Sequence, residues 1–481
     1  MKKNIIARCN AHSLFVVIAL VFGLVFVFAT PLLWGADETT QLGRAYQVSE
    51  GHVQPEFFGI FHGGGYGGQM PAAFIKLIDY VNNDITHPKP NALGIHQVNS
   101  TAAYKTLGAQ KIGPATTPYV FSNTAPYSPL AYAPSAVGLD VGHLLQLRVG
   151  EAIHLARLFG LLVYVALIWF GLKVLQKSRV KWIIFTVALL PMSLFQASMI
   201  TADSITIAMC LLLVALVLKG LFLAGPFRRA DIIMLCLSVV TVPLLKPTYL
   251  PLIFLALLIP DAKLSIKSSL ARLLKGAPIL AGLLFFGLWS FETRHITDTL
   301  RLVIPGTVWS TINPSLQEHF LIRHPLSYMG AIVRTFILYD NAYFNQFFGL
   351  LGFNYIQIPA VSIAASFLSL IMALLVSENV REKLSKLKVA SIFVVVLASV
   401  LFMLTTFYIT LTSVGGGTIG GLQGRYFIPL AAPLLLGIAL LLPKLRIAYT
   451  KVAYRQAASL LVALVVVSLT ISMIKYYYFT F

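Results

Sequence analysis

Charged residues are scarce in this chain, and that scarcity is the first constraint on what it can be. Only 11% of the 481 residues are Asp, Glu, Lys or Arg, whereas 58% are hydrophobic, and mean hydropathy is +0.82. Soluble domains carry about 25% charged residues. A soluble core of this size cannot hide so much apolar surface, but a bilayer can. The composition therefore excludes an ordinary soluble protein and predicts an all-α polytopic membrane protein.

Cysteine is equally sparse. The chain has three, Cys9, Cys210 and Cys236. All three fall in or beside apolar or basic stretches, and none lies in the long polar segment that follows the first apolar run. A disulfide framework is therefore not expected.

Acidic residues are outnumbered, 17 to 36, which gives a net charge of +19. In a soluble protein this would suggest a nucleic-acid partner. Here the connectors that we assign to the cytoplasm hold 22 of the 36 basic residues but 4 of the 17 acidic ones. This asymmetry follows the positive-inside rule, so the excess charge reports orientation and not nucleic acid. It predicts an inner-membrane protein with its N-terminus inside and its C-terminus outside.

Apolar runs predict eleven membrane spans. The first, near 13–33, is read as a retained helix because the bulky Trp34 makes a poor signal-peptide cleavage site. Two short spans are expected to hinge at Lys246-Pro247, where proline supplies the break. The other ten runs lie near residues 153–173, 182–200, 204–223, 231–245, 249–260, 277–291, 358–377, 389–411, 426–443 and 457–474.

These runs divide the chain into five parts. Residues 1–34 hold the first helix, 35–152 an ordered extracytoplasmic loop domain, 153–291 helices two to seven, 292–357 a second outer loop, and 358–481 the last four helices. Within the second loop, the apolar stretch Pro325–Tyr339 is expected to lie on or dip into the membrane. The loop glycines Gly63–Gly68 lack the Gly-Lys-Ser/Thr ending of a phosphate loop. The loop histidines have no metal-ligand spacing; they are His52, His62, His87 and His96.

Two adjacent carboxylates, Asp37 and Glu38, stand just after the first helix at the outer membrane surface. They can supply a general base. Alternatively, Asp37 caps a new helix by accepting backbone N–H bonds, with Glu38 favouring its positive end. Asp203, between two apolar runs, is likewise either a helix cap or a functional group.

Three cations are further candidates for the site. Arg157 stands inside the second helix and calls for an anionic partner, which the sequence leaves open among Asp203, Asp37 and a lipid phosphate. Lys246 and Arg425 stand at outer helix ends, where they either snorkel to lipid head groups or form a phosphate-binding cluster.

The residues also resemble a known family. The stretch from Trp34 to Gly51, which contains Gly-Ala-Asp-Glu, resembles the opening motif of the bacterial membrane family listed as domain of unknown function 2142. Later stretches match in the expected order; they are Gly67–Pro71, Tyr127–Tyr132, Leu190–Ala197, Lys246–Tyr249 and Gln423–Pro429. This sequence departs from the motif where Ala36 precedes the acidic pair and Gln41 replaces a histidine, so no imidazole stands at that position.

The resemblance implies a relation to the C-type (GT-C) glycosyltransferases, which take sugar from a polyprenyl-phosphate carrier on the outer leaflet. It implies that Asp37, with Glu38 beside it, is catalytic. The predicted donor-phosphate ligands are Arg425, Lys246, Arg157 and Arg44. The predicted substrate-binding residues are Asp203, Tyr127, Tyr249, Gln423 and Tyr426. The expected partners are the lipid-linked sugar, a glycan or glycolipid acceptor and membrane lipids, with no resident metal site and a divalent-metal requirement left open.

Other functions compatible with the sequence are a transporter or flippase of lipid-linked glycans, a glycan polymerase or ligase, and a non-enzymatic membrane scaffold. A transporter more often shows internal repeats, and a polymerase usually relies on a late outer loop, whereas here the largest loop is the first.

Overall fold

The structure is a computed structural model that describes residues 10–59, 64–86, 101–264, 266–296, 308–352, 356–377, 384–441 and 451–478. Cys9, His62, His87 and His96 lie outside these ranges. Within them the chain is mostly helical. Eight helices are long and apolar enough to cross a membrane, as expected for a polytopic membrane protein; they are Ala11–Ala29, Val149–Val174, Ala202–Phe222, Ser268–Thr293, Ala360–Ser377, Lys386–Leu411, Gly424–Leu441 and Val452–Tyr477.

Eight of the eleven predicted spans thus appear, and the other three do not reach that length. The run 182–200 is split into α-helices Lys181–Ala188 and Pro191–Ala197. Proline starts the second piece, where its missing N–H costs nothing. The run 231–245 forms the 17-residue helix Arg229–Leu245, which is about 26 Å long and shorter than the roughly 30 Å of a hydrocarbon core. The run 249–260 belongs to a 3-10 helix, Pro247–Leu258.

The predicted break between these last two runs is confirmed. Lys246 is the C-terminal cap of Arg229–Leu245, and Pro247 begins the 3-10 helix. Lys246 has an extended backbone, φ −149° and ψ 120°. The residue before a proline is pushed out of the helical region by contact with the ring, so the sequence itself enforces the bend at Lys246.

The described parts of the first loop form an α+β unit, so the prediction of an all-helical chain does not extend to this loop. Three antiparallel strands, β1 (Glu56–Phe58), β2 (Gly65–Pro71) and β3 (Thr116–Val120), form a sheet in the order β1-β2-β3. Three glycines of the run, Gly65, Gly67 and Gly68, lie in β2, where a Cβ on Gly67 would meet the carbonyl oxygen of Tyr119 at 1.9 Å. Close strand packing therefore requires glycine there.

Helices surround this sheet and complete the loop unit. In chain order we number α1 (Ala11–Ala29), α2 (Glu38–Ser49), α3 (Ala72–Tyr80), α4 (Ala102–Gly108), α5 (Ala133–Leu144) and α6 (Val149–Val174). A short π-helix, Val81–Thr86, follows α3, and a short 3-10 helix, Pro129–Ala131, precedes α5. We call the end of the bundle on which this unit packs the loop face.

The remaining helices continue the numbering: α7 (Lys181–Ala188), α8 (Pro191–Ala197), α9 (Ala202–Phe222), α10 (Arg229–Leu245), α11 (Ser268–Thr293), α12 (Pro314–Arg323), α13 (Pro325–Gly349), α14 (Ala360–Ser377), α15 (Lys386–Leu411), α16 (Ile428–Leu441) and α17 (Lys451–Tyr478). Further 3-10 turns are Asp261–Leu264, Val308–Thr311 and Gly424–Phe427. A two-stranded antiparallel sheet pairs Leu350–Leu351 with Ile356–Gln357.

Burial identifies the centre of the bundle. Helix α9 is enclosed along nearly its whole length, whereas α11 is mostly exposed and borders the bundle. Helices α14 and α17 are joined by serines: the hydroxyl of Ser362 bonds that of Ser472 at 2.6 Å, and Ser366 bonds Ser468 at 2.6 Å. Such small polar contacts hold helices together inside a membrane, where the hydrophobic effect does not.

The predicted surface segment Pro325–Tyr339 forms the first part of α13. Its exposed apolar side chains recur at a spacing of three or four residues; they are Leu326, Met329, Val333 and Ile337. The other side is buried, and the hydroxyl of Thr335 accepts a bond from the backbone N–H of Ile419 at 2.8 Å. The first part of α13 therefore exposes one apolar face and buries the other, and its placement at the membrane surface stays a prediction.

Candidate functional site

A strained turn between α1 and α2 carries the two predicted carboxylates. Helix α1 ends at Ala29, and α2 begins at Glu38. Between them Leu33 (φ 62°) and Asp37 (φ 55°) adopt the left-handed conformation. Asp tolerates this region, but for leucine it costs about 1–2 kcal/mol. Leu33 is fully buried and Trp34 nearly so. Packing therefore holds the turn in place.

A buried ion pair fixes the start of α2. Arg157 donates to both oxygens of Glu38, from Nε to Oε1 at 2.7 Å and from Nη2 to Oε2 at 2.6 Å, and both side chains are fully buried. The same carboxylate accepts the backbone N–H groups of Gly35 (2.8 Å) and Ile200 (3.0 Å). All four acceptor positions of Glu38 are therefore used.

The guanidinium of Arg157 is equally saturated. Its remaining N–H groups donate to three carbonyl oxygens at the end of α1: Val27 (3.1 Å), Thr30 (2.9 Å) and Pro31 (2.8 Å). Its anionic partner is thus Glu38, and not Asp203, Asp37 or a lipid phosphate as the sequence suggested. With no donor or acceptor left, the pair acts as a structural clamp. The proposal below therefore omits a catalytic role for Glu38 and a phosphate-binding role for Arg157.

Asp37, by contrast, keeps an accessible carboxylate. It occupies the N-cap position of α2, but its side chain makes no capping hydrogen bond, so the capping alternative is not what the structure shows. The side chain is 45% exposed, and one oxygen lies 3.6 Å from Nη2 of Arg425. The backbone carbonyl of Asp37 accepts from Gln41 N and the Thr40 hydroxyl. The backbone is thereby anchored while the acid points at a cation.

A second carboxylate holds two cations beside Asp37. Oδ1 of Asp203 pairs with the ammonium of Lys246, and Oδ2 accepts from Nε of Arg425 at 3.1 Å. All three side chains are at most 9% exposed. The helix cap at this point is Thr201, whose hydroxyl accepts from the backbone N–H of Asp203 at 3.2 Å. Asp203 is therefore a buried ion-pair partner and not a cap.

Arg425 reaches this position because of the glycine before it. A Cβ on Gly424 would lie 1.9 Å from the carbonyl oxygen of Tyr343 on α13, so only glycine fits. The Gly424 N–H donates to Oε1 of Gln346 at 2.7 Å. Helix α13 thus holds the 3-10 turn Gly424–Phe427 against the loop face, with Arg425 aimed at both acids.

Aromatic rings surround the cations. The ring centre of Tyr426 lies 4.2 Å from the Lys246 ammonium and that of Tyr127 lies 5.6 Å from it, both within cation–π range. Tyr426 also stacks on Phe407, and its carbonyl accepts the Tyr249 hydroxyl at 2.8 Å. Tyr249 is itself buried, so its side chain is not accessible to a substrate. Its role is to position Tyr426 through this hydrogen bond. Burial raises the pKa of the Tyr127 hydroxyl in the loop to about 12, so that hydroxyl stays protonated at neutral pH.

The last two predicted site residues, Gln423 and Arg44, differ in whether their side chains can still bind a ligand. Gln423, two positions before Arg425, has a buried Oε1 with no hydrogen-bond partner among the described residues. Arg44 is fully buried in the loop and donates to Oε1 of Gln47 and to the carbonyl oxygens of Val53 and Tyr127. Burial lowers its pKa to about 10, still well above neutral. Arg44 braces the loop through these bonds, so it too is omitted below.

Sequence reasoning missed the residue that ties α2 to α9. The Gln41 side-chain oxygen accepts the Tyr132 hydroxyl and, at 3.4 Å, the backbone N–H of Ala202, one residue before Asp203. Gln41 stands where the family motif has histidine, and that substitution was the only signal available. As for metals, the described part of the chain holds no group of three or more His, Cys, Asp or Glu side chains suited to an ion.

We define the Asp37 cluster as Asp37, Asp203, Lys246 and Arg425. Comparison with known proteins matches the chain to one family. The sequence model of a family described as "Predicted membrane protein (DUF2142)" matches residues 20–436, a range that contains all four residues. No curated protein and no solved structure matches the chain.

Proposed function

We propose a function from the premise that this chain belongs to the DUF2142 family of predicted membrane proteins, a description that names no reaction. The proposed function is that of an inverting membrane glycosyltransferase of the GT-C type. It would move a sugar from a polyprenyl-phosphate donor to a cell-envelope glycan or glycolipid on the outer side of the bacterial inner membrane. The observation that carries the proposal is an accessible carboxylate, Asp37, held 3.6 Å from the buried cation Arg425.

The chemistry needs one base and a site for a departing phosphate. The acceptor hydroxyl attacks the anomeric carbon, the bond from that carbon to the phosphate oxygen breaks, and the electron pair leaves with polyprenyl phosphate. A phosphate leaves without being protonated, so no general acid is needed, unlike in glycoside hydrolysis. Asp37 takes the hydroxyl proton. Attack opposite the leaving group inverts the anomeric centre.

Two buried cations can stabilise the leaving phosphate. Lys246 and Arg425 are held by Asp203, which neutralises part of their charge and fixes their direction. The phosphate gains negative charge as the bond breaks, so its attraction to both cations grows in the transition state. Fixed charges in a site shielded from water require little reorganisation at that moment.

Polar and aromatic groups at the rim suit a sugar. The unpartnered Oε1 of Gln423 is an acceptor for a sugar hydroxyl, which would remove the cost of leaving a buried acceptor unsatisfied. The rings of Tyr127 and Tyr426, already beside Lys246, offer apolar faces next to the phosphate position. Tyr249 supports Tyr426 from behind through its hydroxyl.

The test uses purified protein in nanodiscs with a panel of polyprenyl-phosphate sugars and membrane extract as the source of acceptor. Release of polyprenyl phosphate is measured for the wild type, Asp37→Asn and the control Asp140→Asn, an exposed carboxylate on α5. Asparagine also tolerates the left-handed backbone, so folding is preserved. We expect a loss of about 10²- to 10⁴-fold for Asp37→Asn and none for the control. Full activity of Asp37→Asn would exclude Asp37 as the base, and no release from any donor would favour transport or polymerisation of lipid-linked glycans.

A further inference from the structure

A pocket of about 360 Å³ lies away from the Asp37 cluster. Its walls come from the end of α1, from α4 and from the first turns of α6. None of the residues lining it belongs to the Asp37 cluster. It therefore calls for an explanation of its own.

The pocket carries a net positive charge. Lys105 and Arg148 line it, both are exposed, and within the described part of the chain neither forms an ion pair. The one carboxylate in the wall, Glu151, accepts the backbone N–H of Arg148 at 2.8 Å and so caps α6. Two cations and one anion give the pocket a net charge of +1, which one negative charge on a ligand would neutralise.

An apolar track leads into the pocket from the membrane. Along α1 the exposed side chains Val17, Val21, Val25 and Phe28 follow one another at a spacing of four, four and three residues. They therefore lie on one side of the helix. On a membrane span such a side contacts lipid tails. Phe28, its last member, is also part of the pocket wall and packs against the His154 ring, with 5.3 Å between ring centres.

We propose that this pocket binds the phosphate head group of an anionic phospholipid in the leaflet on the loop side, with one tail along the exposed side of α1. Basic pockets beside membrane helices attract such head groups. The charge count matches a phosphodiester with one negative charge. The continuous apolar track favours a lipid over soluble phosphate, which has no tail to place there.

The site would brace the turn that carries Asp37. Thr30 and Leu32, both in that turn, are part of the pocket wall, and the Tyr104 hydroxyl donates to the Leu32 carbonyl. A lipid bound here holds α4 against the turn from outside, while the clamp of Arg157 and Glu38 holds it from inside. The binding itself does not depend on the proposed glycosyltransferase reaction and is measured without it.

Native mass spectrometry of the full-length protein tests the proposal. Protein from nanodiscs containing equal amounts of phosphatidylglycerol and phosphatidylcholine is released into detergent, and the retained lipids are titrated back. The variant Lys105→Ala/Arg148→Ala removes both cations, which are exposed and form no ion pair with any residue that the structure describes. The control Lys76→Ala/Arg323→Ala removes two exposed charges elsewhere. A further variant, Ala109→Trp, fills the pocket from an exposed wall position without changing charge.

We expect the wild type to retain phosphatidylglycerol over phosphatidylcholine. Affinity should fall about 25-fold in the double variant, at roughly fivefold for each cation, and should not change in the control. Ala109→Trp should also lose retention. Equal retention of the two lipids by the wild type, or unchanged retention in the double variant, would overturn the proposal. Displacement of the lipid by inorganic phosphate alone at millimolar concentration would assign the pocket to a soluble anion and overturn it too.

Discussion

Arg425 joins the two acids of the Asp37 cluster: its Nε donates to Asp203 at 3.1 Å, and its Nη2 lies 3.6 Å from Asp37. The first contact is a hydrogen bond and the second is longer than one. Arg425 is thus held by Asp203 and leans toward Asp37. In the proposed reaction, a donor phosphate entering between Arg425 and Asp37 would replace the longer contact and leave Asp37 free to act as the base.

The first prediction concerns Arg425→Lys. Lysine keeps the charge but cannot bond Asp203 through Nε while also reaching toward Asp37, because its ammonium is a single point of charge. We expect kcat/KM for sugar transfer to fall roughly 100-fold, the usual cost of losing one fixed donor at a developing charge. The control is Arg334→Lys, an exposed arginine whose Nε donates to the Gly417 carbonyl at 2.8 Å. Equal losses in both variants would mean that Arg425 has no special role.

The second prediction separates Asp203 from Asp37. In Asp203→Asn the ammonium of Lys246 loses its buried counter-ion, and we expect the free energy of unfolding to fall by about 3–5 kcal/mol. The thermal midpoint in detergent measures this. The double variant Asp203→Leu/Lys246→Met also removes the Lys246 charge, so only Arg425 still lacks its Asp203 partner. It should recover part of the lost stability but not sugar transfer. Recovery of transfer as well would remove both residues from the proposed mechanism.

The third prediction concerns the clamp beneath the site. Glu38→Gln keeps the shape of the side chain but leaves the buried Arg157 charge uncompensated, so we expect a loss of about 3–5 kcal/mol in stability. Thermal unfolding of purified protein measures it, with the exposed Glu318→Gln as the matched control. An unchanged thermal midpoint with lost activity would point instead to a direct catalytic role for Glu38.

The fourth prediction concerns Gly424→Ala. The added Cβ would clash with the Tyr343 carbonyl oxygen at 1.9 Å, so the turn that carries Arg425 must shift. We expect a loss of about 1–3 kcal/mol in stability and a raised KM for the donor. Gly287→Ala on α11 is the control, because a Cβ there meets nothing within 4 Å. If Gly424→Ala kept wild-type KM and thermal midpoint, the close approach would not be what positions Arg425.

Many features of the fold could be predicted from local sequence alone. Eight of the eleven predicted spans appear as helices, and the bend at Lys246-Pro247 appears where it was expected. The effects of hydropathy and of proline depend on a few neighbouring residues, so spans and bends can be predicted from the sequence. The other three runs form elements shorter than a full span. For the run 182–200 the reason is tertiary: the bundle buries both of its helices, and burial needs no helix long enough to cross the bilayer.

The candidate site divides in the same way. The sequence determined which residues carry charge in an apolar chain, and hence that Asp37, Glu38, Arg157, Asp203, Lys246 and Arg425 needed explanation. Only the tertiary structure decided which of these residues form ion pairs with each other. Glu38 meets Arg157 across 119 residues, and Asp203 meets Arg425 across 222. Such pairings depend on how helices pack, because a buried charge must find a counter-ion wherever the fold brings one, and no local pattern encodes that distance. These pairings leave Glu38 with all its hydrogen-bond acceptor positions used, while the carboxylate of its neighbour Asp37 stays accessible.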